Sequence, residues 1–126
     1  IKRGSFTDSF LTMQTSIRQL VQDIQGEIAK GNLMPQRAAE LLVNLSALLG
    51  NIAEEITQRD YEYNLVLLQF LDNETKANRA KIKAEVSKEY LAKRRAYNTR
   101  DLAIELIRSL KYFLRAQEQE MREAKY

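Results

Sequence analysis

Lysine, arginine and tyrosine recur in the C-terminal part of the chain, where their types and spacing could bind a polyanion. Residues 76–126 carry fourteen Lys and Arg against seven Asp and Glu, whereas residues 1–75 carry six against ten. The net charges of the two parts are therefore +7 and −4. Such an asymmetry is typical of a protein with a segment that binds nucleic acid or another polyanion.

Many of these residues follow a seven-residue repeat, which forms one slowly turning stripe on a continuous helix. The two series are Lys76, Lys83, Tyr90, Tyr97, Ile104 and Lys111, and Arg94, Asp101, Arg108, Arg115 and Arg122. Spaced cations replace the counterions of a phosphate backbone, and flat side chains stack on the bases of a single strand. The sequence therefore predicts a surface for single-stranded nucleic acid composed of Lys76, Lys83, Tyr90, Lys93, Arg94, Arg95, Tyr97, Arg100, Arg108, Lys111 and Arg115.

An alternative interpretation of the same stripe stays open. It is a solvated, charged helix whose tyrosines lie half-buried at an interface between helices. Sequence-specific recognition of a duplex is not indicated, because no recognition-helix motif is present.

The residues that most often carry catalysis or hold metals are missing. The chain has no Cys and no His, which excludes thiolate chemistry, zinc–thiolate sites and histidine bases. It has no glycine-rich phosphate loop either. The acids Glu54, Glu55, Asp60 and Glu62 cluster, but we interpret them as a solvated helix face on which Glu55 pairs with Arg59. We expect a protein without enzymatic activity, cofactor or metal site.

The apolar residues give no sign of a membrane protein. No apolar run approaches the roughly 20 residues that span a bilayer, and the first ten residues lack the apolar region of a secretory signal. We therefore expect a cytoplasmic protein with no membrane partner.

The elements that would position these residues are helices. Only four Gly and one Pro occur, and apolar residues recur at steps of three and four, so the chain is predicted to be all-α and a single domain. Gly31 should end the first helix and Pro35 should open the second. Residues 72–75, where Asn73 could cap, are the best candidate for a turn, although without Gly or Pro the helix could also continue through them; a second candidate break lies at 98–101, where Asn98 or Thr99 could cap. The predicted helices are 8–30, 35–72, 75–97 and 99–122, with the last two either separate or continuous.

The second helix carries the strongest apolar pattern, sustained over about four heptads. We expect an elongated antiparallel helical hairpin with coiled-coil-like packing and the first helix against it. Because the apolar face is wider than one neighbour would cover, a homo-oligomer is also expected. Its interface is assigned to Leu41, Leu45, Leu48, Ile52, Ile56, Tyr63 and Phe70.

Residues 74–124 resemble the UvsY-like recombination mediators of bacteriophages. The likeness rests on an Ala/Lys-rich first arm and on an amphipathic last helix that contains Ser109, Leu110 and Lys111 and ends in acids and Arg. It implies a small all-helical protein that assembles into rings and loads a recombinase onto single-stranded DNA. The implied partners are a single strand and a recombinase.

Two functional classes follow from these patterns. The first is an accessory subunit that binds single-stranded nucleic acid, either a recombination mediator or the small helical subunit of a nucleic-acid-guided complex. The second is a structural or adaptor protein that acts only through protein–protein contacts, such as a virion or scaffold component or a protein inhibitor.

Overall fold

Four helices and short connections make up the part of the chain that the structure describes. The structure is a computed structural model that describes residues 3–124, with side chains from residue 16 onward. Its helices are α1 (Arg3–Ala29), α2 (Pro35–Asn73), α3 (Ala77–Glu85) and α4 (Lys88–Ala124), and no strand occurs among the described residues. The all-α prediction is confirmed. Within the same residues, no helix combines the length and apolar character needed to cross a membrane.

The connection between α1 and α2 is formed as the glycine and the proline in the sequence predict. Gly31 has φ +76°, the left-handed conformation that a glycine adopts without a steric penalty. Its N–H donates to the carbonyl of Ile28 at 3.2 Å, so it closes the end of α1. Pro35 occupies the first turn of α2, where its missing N–H leaves no hydrogen bond unmade. Both predicted boundary residues are confirmed.

The other boundaries differ from the predicted ones. The first helix begins at Arg3 rather than at residue 8, and the break between the last two helices lies at 86–87 rather than at 98–101. Ser87 forms the N-terminal cap of α4, because its Oγ accepts a hydrogen bond from the N–H of Tyr90 at 3.2 Å. Thr99 is buried inside α4, where its hydroxyl donates to the carbonyl of Arg95 at 2.8 Å.

The break after α2 lies where the sequence predicted it, but without the predicted cap. The last residue of α2 is Asn73, whose side-chain amide donates to the carbonyl of Gln69 at 3.0 Å instead of capping α3. Lys76 is the N-cap residue of α3 and makes no capping hydrogen bond through its side chain. Local hydrogen bonding within α2 therefore uses the side chain that could have capped the next helix.

The core lies between α2, α4 and the described part of α1. Leucine and isoleucine side chains of α2 pack against α4, where small residues let the helix backbones approach closely. Two contacts between α2 and α4 show that these helices run in opposite directions. Asp60 accepts a hydrogen bond from Tyr97, whereas Tyr63, later in α2, packs on Tyr90, earlier in α4. The buried apolar residues include Ile17, Val21, Leu41, Leu45, Ile52, Ala80, Ala84, Ala96, Ala103 and Leu110.

Two polar contacts hold α1 against its neighbours. Arg18 of α1 donates from Nη1 to the hydroxyl of Thr99 at 3.2 Å, which links α1 to α4. Glu27 of α1 forms an ion pair with Arg37 of α2, with a shortest distance of 2.7 Å. Hydrogen bonding from Arg37 holds the pKa of the Glu27 carboxyl below its ordinary value. These contacts join α1 to both long helices.

The residues assigned from sequence to an oligomer interface lie mainly in the core of a single chain. Five of the seven are buried by other parts of the same chain: Leu41, Leu45, Ile52, Ile56 and Tyr63. Leu48 and Phe70 are half-buried. The apolar pattern of α2 was recognised correctly, but neighbouring helices of the same chain cover it. Those five positions leave almost no accessible surface for a second copy.

Candidate nucleic-acid interface

The positive charge of the chain is concentrated in residues 76–100, which we call the basic segment. This segment contains nine Lys and Arg against two Glu, a net charge of +7. Residues 101–126 contain five basic and five acidic residues and are therefore neutral. The basic segment comprises α3 and the first part of α4, so the charge excess lies on two helices rather than along one stripe.

Seven cations of the basic segment are exposed, and six of them remain when Lys83, which pairs with Glu74, is set aside. Among the described side chains, no carboxylate lies within ion-pairing distance of any of these six. They are Lys76, Arg79, Lys81, Lys88, Arg94 and Arg95. Only three of the six, Lys76, Arg94 and Arg95, belonged to the predicted surface; Arg79, Lys81 and Lys88 lie between the two seven-residue series and were not assigned to it. The local charge excess was the signal that identifies those three.

Other cations of the predicted surface are engaged within the chain. Lys83 forms an ion pair with Glu74, the residue just beyond the end of α2, and this contact lowers the pKa of the Glu74 carboxyl. Arg100 lies 3.3 Å from the carboxylate of Asp101. Both cations would have to exchange a carboxylate for a phosphate, so their contribution to binding is smaller than that of an exposed, unpaired cation.

The two tyrosines of the predicted surface lie at the interface between α2 and α4. The hydroxyl of Tyr97 donates to the carboxylate of Asp60 at 2.8 Å, and the ring of Tyr90 packs on that of Tyr63 with 5.4 Å between centroids. Lys93 also faces this interface, with Nζ 3.5 Å from the Asp60 carboxylate and 4.5 Å from the Tyr63 ring centroid. This placement matches the alternative interpretation, in which the tyrosines are half-buried between helices.

The surroundings of two tyrosines alter their acidity. The hydrogen bond to the Asp60 carboxylate, together with burial, raises the pKa of Tyr97 above its ordinary value. Burial is the main cause that raises the pKa of Tyr63. Both shifts favour the neutral phenol, which suits a structural contact between helices.

The remaining predicted cations lie in the neutral part of α4. Arg108 is exposed and pairs with Glu105 at 2.7 Å. Lys111 and Arg115 are exposed as well. Their acidic neighbours along the helix reduce the local potential, so this part is a weaker candidate for contact with phosphates.

A buried ion network beside the interface was not foreseen. Arg59 is 0% exposed; its Nε lies 2.8 Å from Glu55 and its Nη1 lies 2.7 Å from Glu62. The predicted pairing of Glu55 with Arg59 is present, but its assignment to a solvated face is wrong, because Glu55 is also buried. In the described part of the chain, no group of acidic residues is arranged to hold a metal ion. Both ion pairs join residues one turn apart on α2.

The exposed cations, together with tyrosines that are half-buried and engaged with α2, form a surface that can bind anions but offers these rings poorly for stacking. Such a surface holds a phosphate backbone through charge and has little means of reading bases. The chain matches no protein-family model, no curated protein and no solved structure.

Proposed function

We propose that the chain is a non-catalytic binding protein whose basic segment holds single-stranded nucleic acid. The observation that supports this function is the set of six exposed cations on α3 and the beginning of α4, without described carboxylates beside them. A phosphate backbone that reaches such a surface releases its condensed counterions, which drives association at moderate salt.

The expected mode of binding is contact with phosphates. Tyr90 and Tyr97 are engaged with α2, so the rings expected to stack on bases are occupied by the fold. Binding should therefore show little sequence preference and a strong dependence on salt. A flexible single strand can follow cations that are distributed over two helices and the connection between them.

The resemblance of residues 74–124 to recombination mediators gives this activity a context. In that context the chain is an accessory subunit that transfers a strand to a recombinase in the cytoplasm of an infected cell. Faster assembly of recombinase on a labelled strand in the presence of the chain would support this role. An unchanged rate of assembly would count against the mediator role but not against strand binding.

Fluorescence anisotropy with a labelled single strand, at low and high salt, tests the binding activity. Replacing Arg94 and Arg95 together with Ala should weaken binding to all sequences. The plot of the logarithm of the binding constant against the logarithm of the salt concentration should become less steep, by about 0.7 in slope for each phosphate that the variant no longer neutralises. A matched control replaces Arg108 and Lys111 with Ala. This control removes the same charge from the neutral part of α4, so we expect almost unchanged affinity.

The outcome at low salt decides between the functional classes. If the wild-type chain does not bind the labelled strand even at low salt, the proposed function is wrong. Equal loss of affinity in both double variants would instead mean that only the net charge matters. A duplex of the same length serves as competitor, and tighter binding of the duplex would contradict the preference for single strands.

A structural or adaptor protein is the second candidate, and an exposed apolar surface favours it. Tyr61, Leu65 and Leu68 lie on α2 and are 60%, 44% and 55% exposed. Apolar side chains that are adjacent on one helix face and remain uncovered are typical of a surface that contacts another protein. This class would be supported by a large apolar interface in a chain with no affinity for nucleic acid.

A further inference from the structure

Three exposed apolar residues of α2, namely Tyr61, Leu65 and Leu68, belong to a row with regular spacing, which we call the α2 row. Its members are separated by four, three, four, three and four residues: Glu54, Gln58, Tyr61, Leu65, Leu68 and Asp72. This alternation places them on one face of the helix, as in the seam of paired helices. The row lies away from the buried side that carries Ile52, Ile56 and Tyr63. It is therefore a second seam, distinct from the one that forms the core.

The charges at the ends of the α2 row disfavour symmetric pairing between two copies. An antiparallel pairing that sets Tyr61 opposite Leu65 of the other copy also sets Glu54 opposite Asp72 at both ends. A parallel pairing sets each of these carboxylates opposite its own counterpart. Like charges placed opposite one another suppress an interface. The row should thus select a partner whose apolar residues are flanked by a cation.

The outer side of α3, together with its C-cap residue Val86, presents such a pattern, which we call the α3 row. Arg79, Ile82 and Val86 are spaced by three and four residues, and Ile82 and Val86 are 63% and 81% exposed. The opposite side of α3 carries Ala80 and Ala84, which are buried against the rest of the chain. The α3 row is therefore a short apolar surface that begins with an exposed cation.

The two rows match each other in an antiparallel register. When Leu65 lies opposite Val86, the same register sets Leu68 opposite Ile82. It also sets Asp72 opposite Arg79, so that the carboxylate meets a cation. Apolar contact and charge therefore favour the same alignment.

We propose that copies of this chain associate head to tail, with the α2 row of one copy seated on the α3 row of the next. The two contacting surfaces differ, so a pair still has one free row of each kind, the α3 row on one copy and the α2 row on the other. Repetition of such a heterologous contact adds further copies, and the assembly either closes into a ring or extends as an open filament. It does not need nucleic acid, and it leaves Arg94 and Arg95 outside the contact.

Mixing two variants tests this arrangement. Leu68→Glu blocks the α2 row, Val86→Glu blocks the α3 row, and both positions are exposed, so both variants should fold. Light scattering without nucleic acid should report assemblies for the wild-type chain and 14.6 kDa monomers for each variant alone. An equimolar mixture should give a species of twice that mass, because one variant retains the α3 row and the other retains the α2 row.

A control variant and a charge exchange complete the experiment. Val43→Glu alters another exposed residue of α2 outside the row and should assemble like the wild-type chain. Asp72→Arg should weaken assembly, and adding Arg79→Asp in the same chain should restore it, since the pair is then reversed at every contact. The proposal is overturned by a wild-type chain that stays monomeric at high concentration, by variants that still assemble, or by a mixture that remains monomeric.

Discussion

The Tyr97 hydroxyl donates a 2.8 Å hydrogen bond to the Asp60 carboxylate and thereby joins α4 to α2. This contact assigns Tyr97 to the fold rather than to a bound strand. Replacing Tyr97 with Phe should destabilise the chain by about 1 kcal/mol, because hydrogen bonds to charged groups contribute more than neutral ones but Asp60 is partly exposed. The melting temperature should fall while affinity for a single strand stays the same. Tyr112→Phe, at an exposed position, is the matched control and should change neither quantity.

The raised pKa values of Tyr97 and Tyr63 predict a loss of stability at alkaline pH. In the unfolded chain both phenols ionise near the ordinary value of 10.0, before they ionise in the folded chain. Their contribution is therefore fully present below that pH and is lost as the pH rises through the folded pKa values. Urea denaturation from about pH 8 to about pH 11 should show this decline. In the Tyr97→Phe variant the decline in stability with rising pH should be smaller. An unchanged alkaline profile in that variant would contradict the contribution assigned to the Tyr97 hydroxyl.

The buried cation of α2 should be critical for stability. Arg59→Met leaves the carboxylates of Glu55 and Glu62 without the guanidinium that pairs with them. Breaking a buried pair by removing one partner typically costs about 3–5 kcal/mol, because a charge stays buried without compensation. Urea unfolding should report a loss in this range.

A double variant separates that effect from simple loss of packing. Arg59→Met combined with Glu55→Leu removes the uncompensated buried carboxylate, while Glu62 can still reach solvent. We expect the double variant to be more stable than Arg59→Met alone. If it is less stable, the network contributes through specific hydrogen bonds rather than through charge compensation.

Two glycine substitutions should change stability in opposite directions. A Cβ atom at Gly50, inside α2, would meet no atom within 4 Å, so Gly50→Ala should stabilise the chain by about 0.5–1 kcal/mol. Gly31 has φ +76°, and Gly31→Ala should destabilise the chain by about 1 kcal/mol. Thermal melts of the two variants test the pair. A destabilising Gly50→Ala would mean that the absence of a side chain there serves a contact with another molecule.

The sequence predicted those parts of the fold that depend on local chemistry. Gly31 and Pro35 mark the first connection because each has a backbone preference that its neighbours do not alter. Of the two alternatives at 98–101, the structure has the continuous helix: Thr99 resembles a cap locally but lies buried inside α4, where Arg18, 81 residues away, contacts it. Ser87, which does cap α4, also has a hydroxyl side chain, and the local sequence pattern does not distinguish this cap from Thr99.

The candidate site was predictable in its charge but not in its geometry. The excess of Lys and Arg follows from composition, and six of these side chains in residues 76–100 are exposed with no described carboxylate at ion-pairing distance. Whether Tyr90 and Tyr97 point toward solvent depends on which side of α4 meets α2, where Asp60 and Tyr63 receive them. Periodicity likewise identified the apolar face of α2 but could not decide whether it is covered by the same chain or by another copy.

The contact between Arg18 and Thr99 has a consequence for the order of folding. The end of α1 near Glu27 contacts α2 across only ten residues, whereas the part of α1 around Arg18 reaches α4 across 81 residues. Contacts of such high sequence separation form late, because the chain must lose more configurational entropy before they contribute. We therefore expect this part of α1 to dock last and to detach first, so its backbone amides near Ile17 and Val21 should exchange with deuterium before those of α2. Simultaneous exchange of the two helices would show instead that the bundle opens as one cooperative unit.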